Sequence, residues 1–182
     1  WVRFWRGFKD SFLGFPAPNG LVGPNGRDGN WGYLAGGRFA LKDDEALLVT
    51  LDPAGSYYTG FQITDPWTIA PDPLLRLASL NKGQVVPNAD GTVTYAIALA
   101  DPGVANWIDT CGLHKGWMLT RWQGVPAGLD LSRMIREVRL TTIGDIPASV
   151  PMIDLAGRRA QIATRAYDFA RRTSMEGWSD AA

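Results

Sequence analysis

At 182 residues the chain has the size of a single domain, and two full cores would strain it. Apolar residues make up 46% of it, enough for a sizeable core, yet no apolar run approaches the roughly 18 residues of a membrane span. Its 18 basic side chains balance 18 acidic ones, which argues against a nucleic-acid footprint, since that requires a clustered basic surplus.

The chain opens on Trp1 without a Met, signal or transit sequence, which points to a processed or excised piece. Trp1 to Leu13 (WVRFWRGFKDSFL) has the spacing of an amphipathic helix, with Trp1, Phe4, Trp5, Phe8 and Phe12 on one face. Such a stripe suits packing on the domain itself, on an upstream part of the parent chain or on a second copy. The same pattern can rest on a lipid interface, although membrane attachment is the weaker reading. Phe15 to Asn30 is crowded with Gly, Pro and Asn and is expected to be a long loop.

Strand signals then recur at short intervals: Tyr33 to Leu41, Ala46 to Leu51, Tyr57 to Ile63, Val93 to Leu99, Trp117 to Trp122 and Glu137 to Thr142. Val93, Tyr95, Ile97 and Leu99 on one face alternate with Thr94, Ala96 and Ala98 on the other, the period of a strand. Asp52-Pro53-Ala54-Gly55 is a turn between two strands. Asn88-Ala89-Asp90-Gly91 is another, and it predicts a hairpin of Val85-Val86 with Val93 to Leu99. After Pro147 and Pro151, Asp154 can cap a helix running to about Thr173. Ile162, Ala166 and Phe169 are expected to face the body, and Arg158, Arg165 and Arg172 to form a separate solvated stripe.

The pattern predicts a mainly β fold, an antiparallel jelly-roll-like β-sandwich with a C-terminal α-helix and a short aromatic N-terminal helix. It divides the chain into an aromatic segment and Gly/Pro-rich loop (1–30), a sandwich body (31–146) and a C-terminal helix and tail (147–182).

Candidate chemistry concentrates in Asp101 to Trp122 (DPGVANWIDTCGLHKGWMLTRW), which joins two predicted strands through about fifteen residues. It carries the chain's only cysteine, Cys111, and only histidine, His114. One cysteine excludes an internal disulfide and leaves the compartment undecided; the chain is expected to be soluble. One histidine excludes a multi-histidine metal site. Zinc held by Cys111, His114 and carboxylates has only spacing in its favour, so no metal or other cofactor is expected. Asp109 and His114 can form an acid–imidazole pair, with Arg121 neutralising a carboxylate or a developing oxyanion. The structural alternative is that Asp101 and Asp109 bond their own loop's amides, Asn106 satisfies buried backbone and Trp107 plugs the core. No GxSxG elbow, phosphate-binding glycine loop, HExxH helix or dinucleotide fingerprint is present.

A second polar cluster is Ser79-Leu80-Asn81-Lys82-Gly83-Gln84. Ser79, Asn81 and Gln84 can hydrogen-bond the hydroxyls of a polar ligand over an apolar floor of Trp67, Trp107 or Trp122, an arrangement that suits sugars and other polyhydroxylated molecules. A network that only holds a loop in place reads identically.

The run SLNKGQ, then NADGTV, DPGVANWIDTCG and TRW, with WGYLAGGRFALKDDEALLVTLDP before it and LAGRRAQIATRAYDFARR after it, resembles the C-terminal domain family known as domain of unknown function 1214. The resemblance spans roughly Asn30 to Arg172. It implies a jelly-roll-like sandwich that closes a longer polypeptide, in some relatives after domain of unknown function 1254, and it brings no settled activity. The family's recurring positions fall on Ser79, Asn81, Gln84, Asp101, Gly103, Asn106, Trp107, Asp109, Thr110, Gly112, His114, Arg121 and Trp122. Cys111 departs from the pattern, where relatives tend to carry a small residue.

Three functions stay open. One is a ligand-binding or accessory domain of a larger protein, using Ser79, Asn81, Gln84, Asn106, Trp107 and Trp122. The second is a hydrolase or acid–base enzyme working through His114, Asp109 and Arg121. The third is a structural or oligomer-forming module docking through Trp1, Phe4, Trp5 and Phe8.

Overall fold

The computed structural model describes residues 2–7, 17–26 and 32–173. Short helix α1 (Val2–Gly7) stands at the start. Then follow β1 (Gly20–Gly26), β2 (Tyr33–Ala40), β3 (Glu45–Leu51), β4 (Tyr58–Thr64), β5 (Ser79–Asn81), β6 (Val93–Ala98), β7 (Trp107–Asp109), β8 (Lys115–Gln123), β9 (Ile135–Thr142) and helix α2 (Leu155–Thr173). The strands form two sheets, one ordered β1-β2-β8-β4-β5 and the other β7-β6-β3-β9. The fold is mainly β and sandwich-like, as the strand spacing predicts. None of the described helices is long and apolar enough to cross a membrane.

Alternation decides what each sheet buries. In β4, Thr59, Phe61 and Ile63 turn inward while Tyr58, Gly60 and Gln62 turn outward. In β8, Met118, Thr120 and Trp122 are buried and Arg121 is exposed on the opposite face. One core gathers Phe39, Phe61, Ile63, Met118 and Trp122 from the first sheet with Leu47, Val49, Tyr95 and Ile97 from the second. Phe61 and Tyr95 stack across the interior with ring centroids 4.7 Å apart. A smaller cluster of Leu48, Ala96, Val104 and Val150 covers the far side of the second sheet.

Several expectations are corrected. The expected loop from Phe15 to Asn30 contains β1, an edge strand whose pairing with β2 is irregular between Val22 and Asn25. Pro24 masks the period there, and an edge position tolerates it because one side of the strand needs no donor. The Asn88–Gly91 turn forms, with Gly91 at φ +82, but the Val85-Val86 hairpin does not. The backbone N–H and C=O of Val86 pair instead with the side chain of Asn106, both at 2.8 Å. An asparagine amide offers the same donor and acceptor as a strand neighbour. The expected fifteen-residue loop is interrupted by β7, which runs parallel to β6, so the architecture is not purely antiparallel. Of the aromatic stripe, Trp1, Phe8 and Phe12 lie outside the described residues, and Phe4 is exposed.

Helix α2 brings the largest correction. Asp154 caps it as expected, its carboxylate accepting from Gly157 N–H at 2.7 Å. The arginines, however, are not a solvated stripe: Arg158 and Arg165 are 4% and 8% exposed. Residues 158, 162, 165 and 169 follow one another at three- and four-residue steps, so these arginines share a face with Ile162 and Phe169.

Candidate functional site

The register of the first sheet stacks Arg121, Gly60 and Asn81 in one row and Leu119, Gln62 and Ser79 in the next. The residues of both rows point away from the core. Helix α2 lies against this face and adds Arg165, Asp168 and Phe169, leaving a cleft of about 510 Å³ that Tyr58 and Gln84 also line. Gly60 sets its depth. A Cβ there would stand 2.5 Å from the Tyr58 hydroxyl, so the absent side chain lets the phenol lie across the strand.

Two amides are fixed in orientation by the backbone. Asn81 Oδ1 accepts from Gly83 N–H at 2.9 Å, and Gln84 Oε1 accepts from Asn81 N–H at 3.0 Å. Because the oxygens face N–H donors, each NH₂ is the end left over, and neither donates to another described residue. Arg165 reaches the cleft from α2, donating from Nε to the Pro73 carbonyl at 2.7 Å, from Nη1 to the Ser79 carbonyl at 2.7 Å and from Nη2 to Ser79 Oγ at 2.9 Å. Burial pulls its pKa below the ordinary arginine value, against the weaker opposing pull of Asp72. The guanidinium of Arg121 is exposed and makes no hydrogen bond or ion pair with the described residues.

Of the residues expected in a site, Ser79, Asn81, Gln84 and Arg121 therefore meet in one cleft. The others do not join them. Asp109, 3% exposed, is held by a two-pronged contact from Arg76, Nε to Oδ2 at 2.7 Å and Nη2 to Oδ1 at 3.0 Å, and accepts from Cys111 N–H at 2.7 Å. Burial opposes the charge on Arg76, but hydrogen bonding to Cys111 and the charge of Asp109 outweigh it, so its pKa is raised. Burial, then the neighbouring Asp109, pushes the Cys111 thiol up, away from a reactive thiolate.

His114 makes no pair with Asp109. Its Nδ1 lies 2.9 Å from the Leu41 carbonyl, and its Nε2 lies 3.6 Å from exposed Asp43. It also stands seven residues along the chain from Arg121, on the order of 20 Å of extended strand. Asn106 is fully buried and adds a bond to the Thr94 carbonyl at 3.1 Å to those with Val86. Trp107 donates to the Ala98 carbonyl at 3.0 Å, and Trp122, fully buried, donates to the Asp52 carbonyl at 2.9 Å. These polar groups are occupied by the fold, and half-exposed Trp67 is not among the residues lining the cleft. Among the described residues no group of three or more His, Cys, Asp or Glu side chains is placed to hold a metal ion.

Sequence reasoning missed Tyr58, Gly60, Gln62, Arg165 and Asp168. The signals were present. Period two in β4 turns Tyr58, Gly60 and Gln62 to the same side, and a glycine inside a strand marks a close approach.

No protein-family model matches the chain, and no curated protein matches it. Among solved structures it is similar to an uncharacterized protein from Burkholderia cenocepacia, with 29% identity and a TM-score of 0.63. That match covers 72% of this chain and 37% of the other. A protein from Vibrio parahaemolyticus matches at 13% identity and a TM-score of 0.44, over 63% of this chain and 32% of its own. The chain thus spans just over a third of the length of the Burkholderia protein, and shares its sheet architecture.

Proposed function

We propose that this chain is the ligand-binding domain of a larger protein, and that it takes an oxygen-rich small molecule in the cleft between the β4-β5-β8 face and α2. The observation that carries this reading is the convergence there of Ser79, Asn81, Gln84 and Arg121, which come from two distant stretches of sequence. Hydrogen-bond donors that serve no fold contact, set beside the phenol of Tyr58 and the ring of Phe169, are the usual furnishing of a small-molecule site.

The limited share of the Burkholderia protein that the chain covers supports its being one domain of several. The motifs SLNKGQ, NADGTV, DPGVANWIDTCG and TRW support membership of the family of domain of unknown function 1214, with its jelly-roll connectivity. The aromatic start, including Trp1, Phe4, Trp5 and Phe8, is then the element that meets the rest of the parent chain or a second copy.

Mass spectrometry of small molecules released from the natively purified protein, followed by adding the molecule back and mapping amide shifts by NMR, tests the reading. The shifts are expected at Gly60, Gln62, Ser79 and Asn81. Shifts confined to Asp109 through His114 would contradict it.

A further inference from the structure

Resting on that reading of the cleft, we infer that its ligand is an anion, whose carboxylate or phosphate oxygens sit between the guanidinium groups of Arg121 and Arg165. Three features of the cleft lead there.

The first is charge. Arg165 is 8% exposed, and its three hydrogen bonds go to the Pro73 carbonyl, the Ser79 carbonyl and Ser79 Oγ, all neutral oxygens. A guanidinium withdrawn from water is costly unless an anion faces it, and a residue that cannot give up its proton cannot escape by neutralising. Asp72 pulls on it through space but makes no ion pair with it. Arg121 adds a second guanidinium with no partner among the described residues. Against these two cations the cleft lining supplies one carboxylate, that of exposed Asp168.

The second is the balance of donors and acceptors. Arg165 uses three of the five N–H groups a guanidinium carries, and Arg121 keeps all of its own. The NH₂ ends of Asn81 and Gln84 are donors too, because their oxygens are taken by backbone N–H groups. A cleft so rich in donors is matched by a ligand rich in acceptors, and forked Arg–carboxylate or Arg–phosphate bonds are the strong form of that match.

The third is contrast within α2. Arg158 is buried to a similar extent on the same face, and there the chain provides an acid: Asp101 takes Nε at 2.8 Å and Nη2 at 3.0 Å. The fold compensates one buried arginine and leaves the other open to the cleft.

Calorimetric titration of the chain with succinate, inorganic phosphate and uncharged myo-inositol tests the inference, in the wild type and in Arg121→Gln. Arg121 is exposed, so the variant is expected to melt as the wild type does. Saturable binding of succinate or phosphate, weakened roughly tenfold or more in Arg121→Gln, is the expected result, in line with loss of a charge-assisted hydrogen bond. Which anion binds distinguishes a carboxylate from a phosphate ligand. Binding of myo-inositol with neither anion bound would overturn the anion inference and leave the polar cleft standing. Anion binding of equal strength in Arg121→Gln would overturn it as well, and silence of all three probes would overturn both.

Discussion

Arg158 and Arg165 lie seven residues apart on one face of α2, each more than nine-tenths buried, yet they meet different surroundings. Around Arg158 the chain supplies every partner itself: the partly exposed Asp101 grips the guanidinium by two bonds, the Val104 and Ala105 carbonyls and Gln161 accept from it, and the Trp107 ring lies 5.2 Å from it. Around Arg165 only neutral oxygens answer, and the remaining side opens on the cleft. The difference teaches that burial alone does not assign an arginine to structure. What matters is whether the fold also buries the counter-charge. Where it does, the contact fastens the helix to the 101–107 segment. Where it does not, the helix fastens less firmly and leaves a charge for something else to meet.

The sharpest way to break the comparison is at its sealed end. Asp101→Ala strands a buried cation, so unfolding in urea is expected to show a loss of about 3 to 5 kcal/mol. Arg165→Met removes a cation that the chain meets only with neutral oxygens and leaves no buried charge unpaired, so the loss is expected near about 1 to 2 kcal/mol, the cost of unmade hydrogen bonds. Equal losses in the two variants would mean that Arg165 is compensated after all. His114→Ala marks the small end of the scale. The ring is half-exposed, bonded to one backbone carbonyl and loosely placed near Asp43. Its replacement is expected to change stability within about 0.5 kcal/mol and leave anion binding unaltered. Lost binding in that variant would return the site to Asp109 and His114.

The body of the sandwich was legible because its strands obey period two and their turns use the right residues. Tyr58 to Ile63 and the Asp52–Gly55 turn are examples, the latter with Asp52 Oδ1 accepting from Ala54 N–H at 2.8 Å, whereas Val93 to Ala98 alternates in sequence but is buried along its whole length. What stayed hidden were elements whose pairing depends on distant partners. β1 reads as a loop because Gly and Pro break its pattern, and it is a strand only because β2 lies beside it. Val85-Val86 reads as a strand, but a side chain from Asn106 takes its bonds first.

The candidate site divides the same way. Ser79, Asn81, Gln84 and Arg121 could be named from residue type, while Asp109 and His114 looked like partners because only four residues separate them in sequence. Arg76, placed 33 residues before Asp109, claimed the carboxylate instead. The two α2 arginines were misread by setting aside helical geometry in favour of the habit that charges face water. Three- and four-residue steps from Ile162 already placed them on the buried face.

The most direct test of the account follows the arginine Nε–Hε resonances by NMR while succinate or phosphate is added. The account predicts that Arg165 and Arg121 shift together and saturate at one concentration, while Arg158, sealed by Asp101, stays in place. Equal movement of Arg158 and Arg165, or a saturating ligand that moves neither Arg165 nor Arg121, would contradict it.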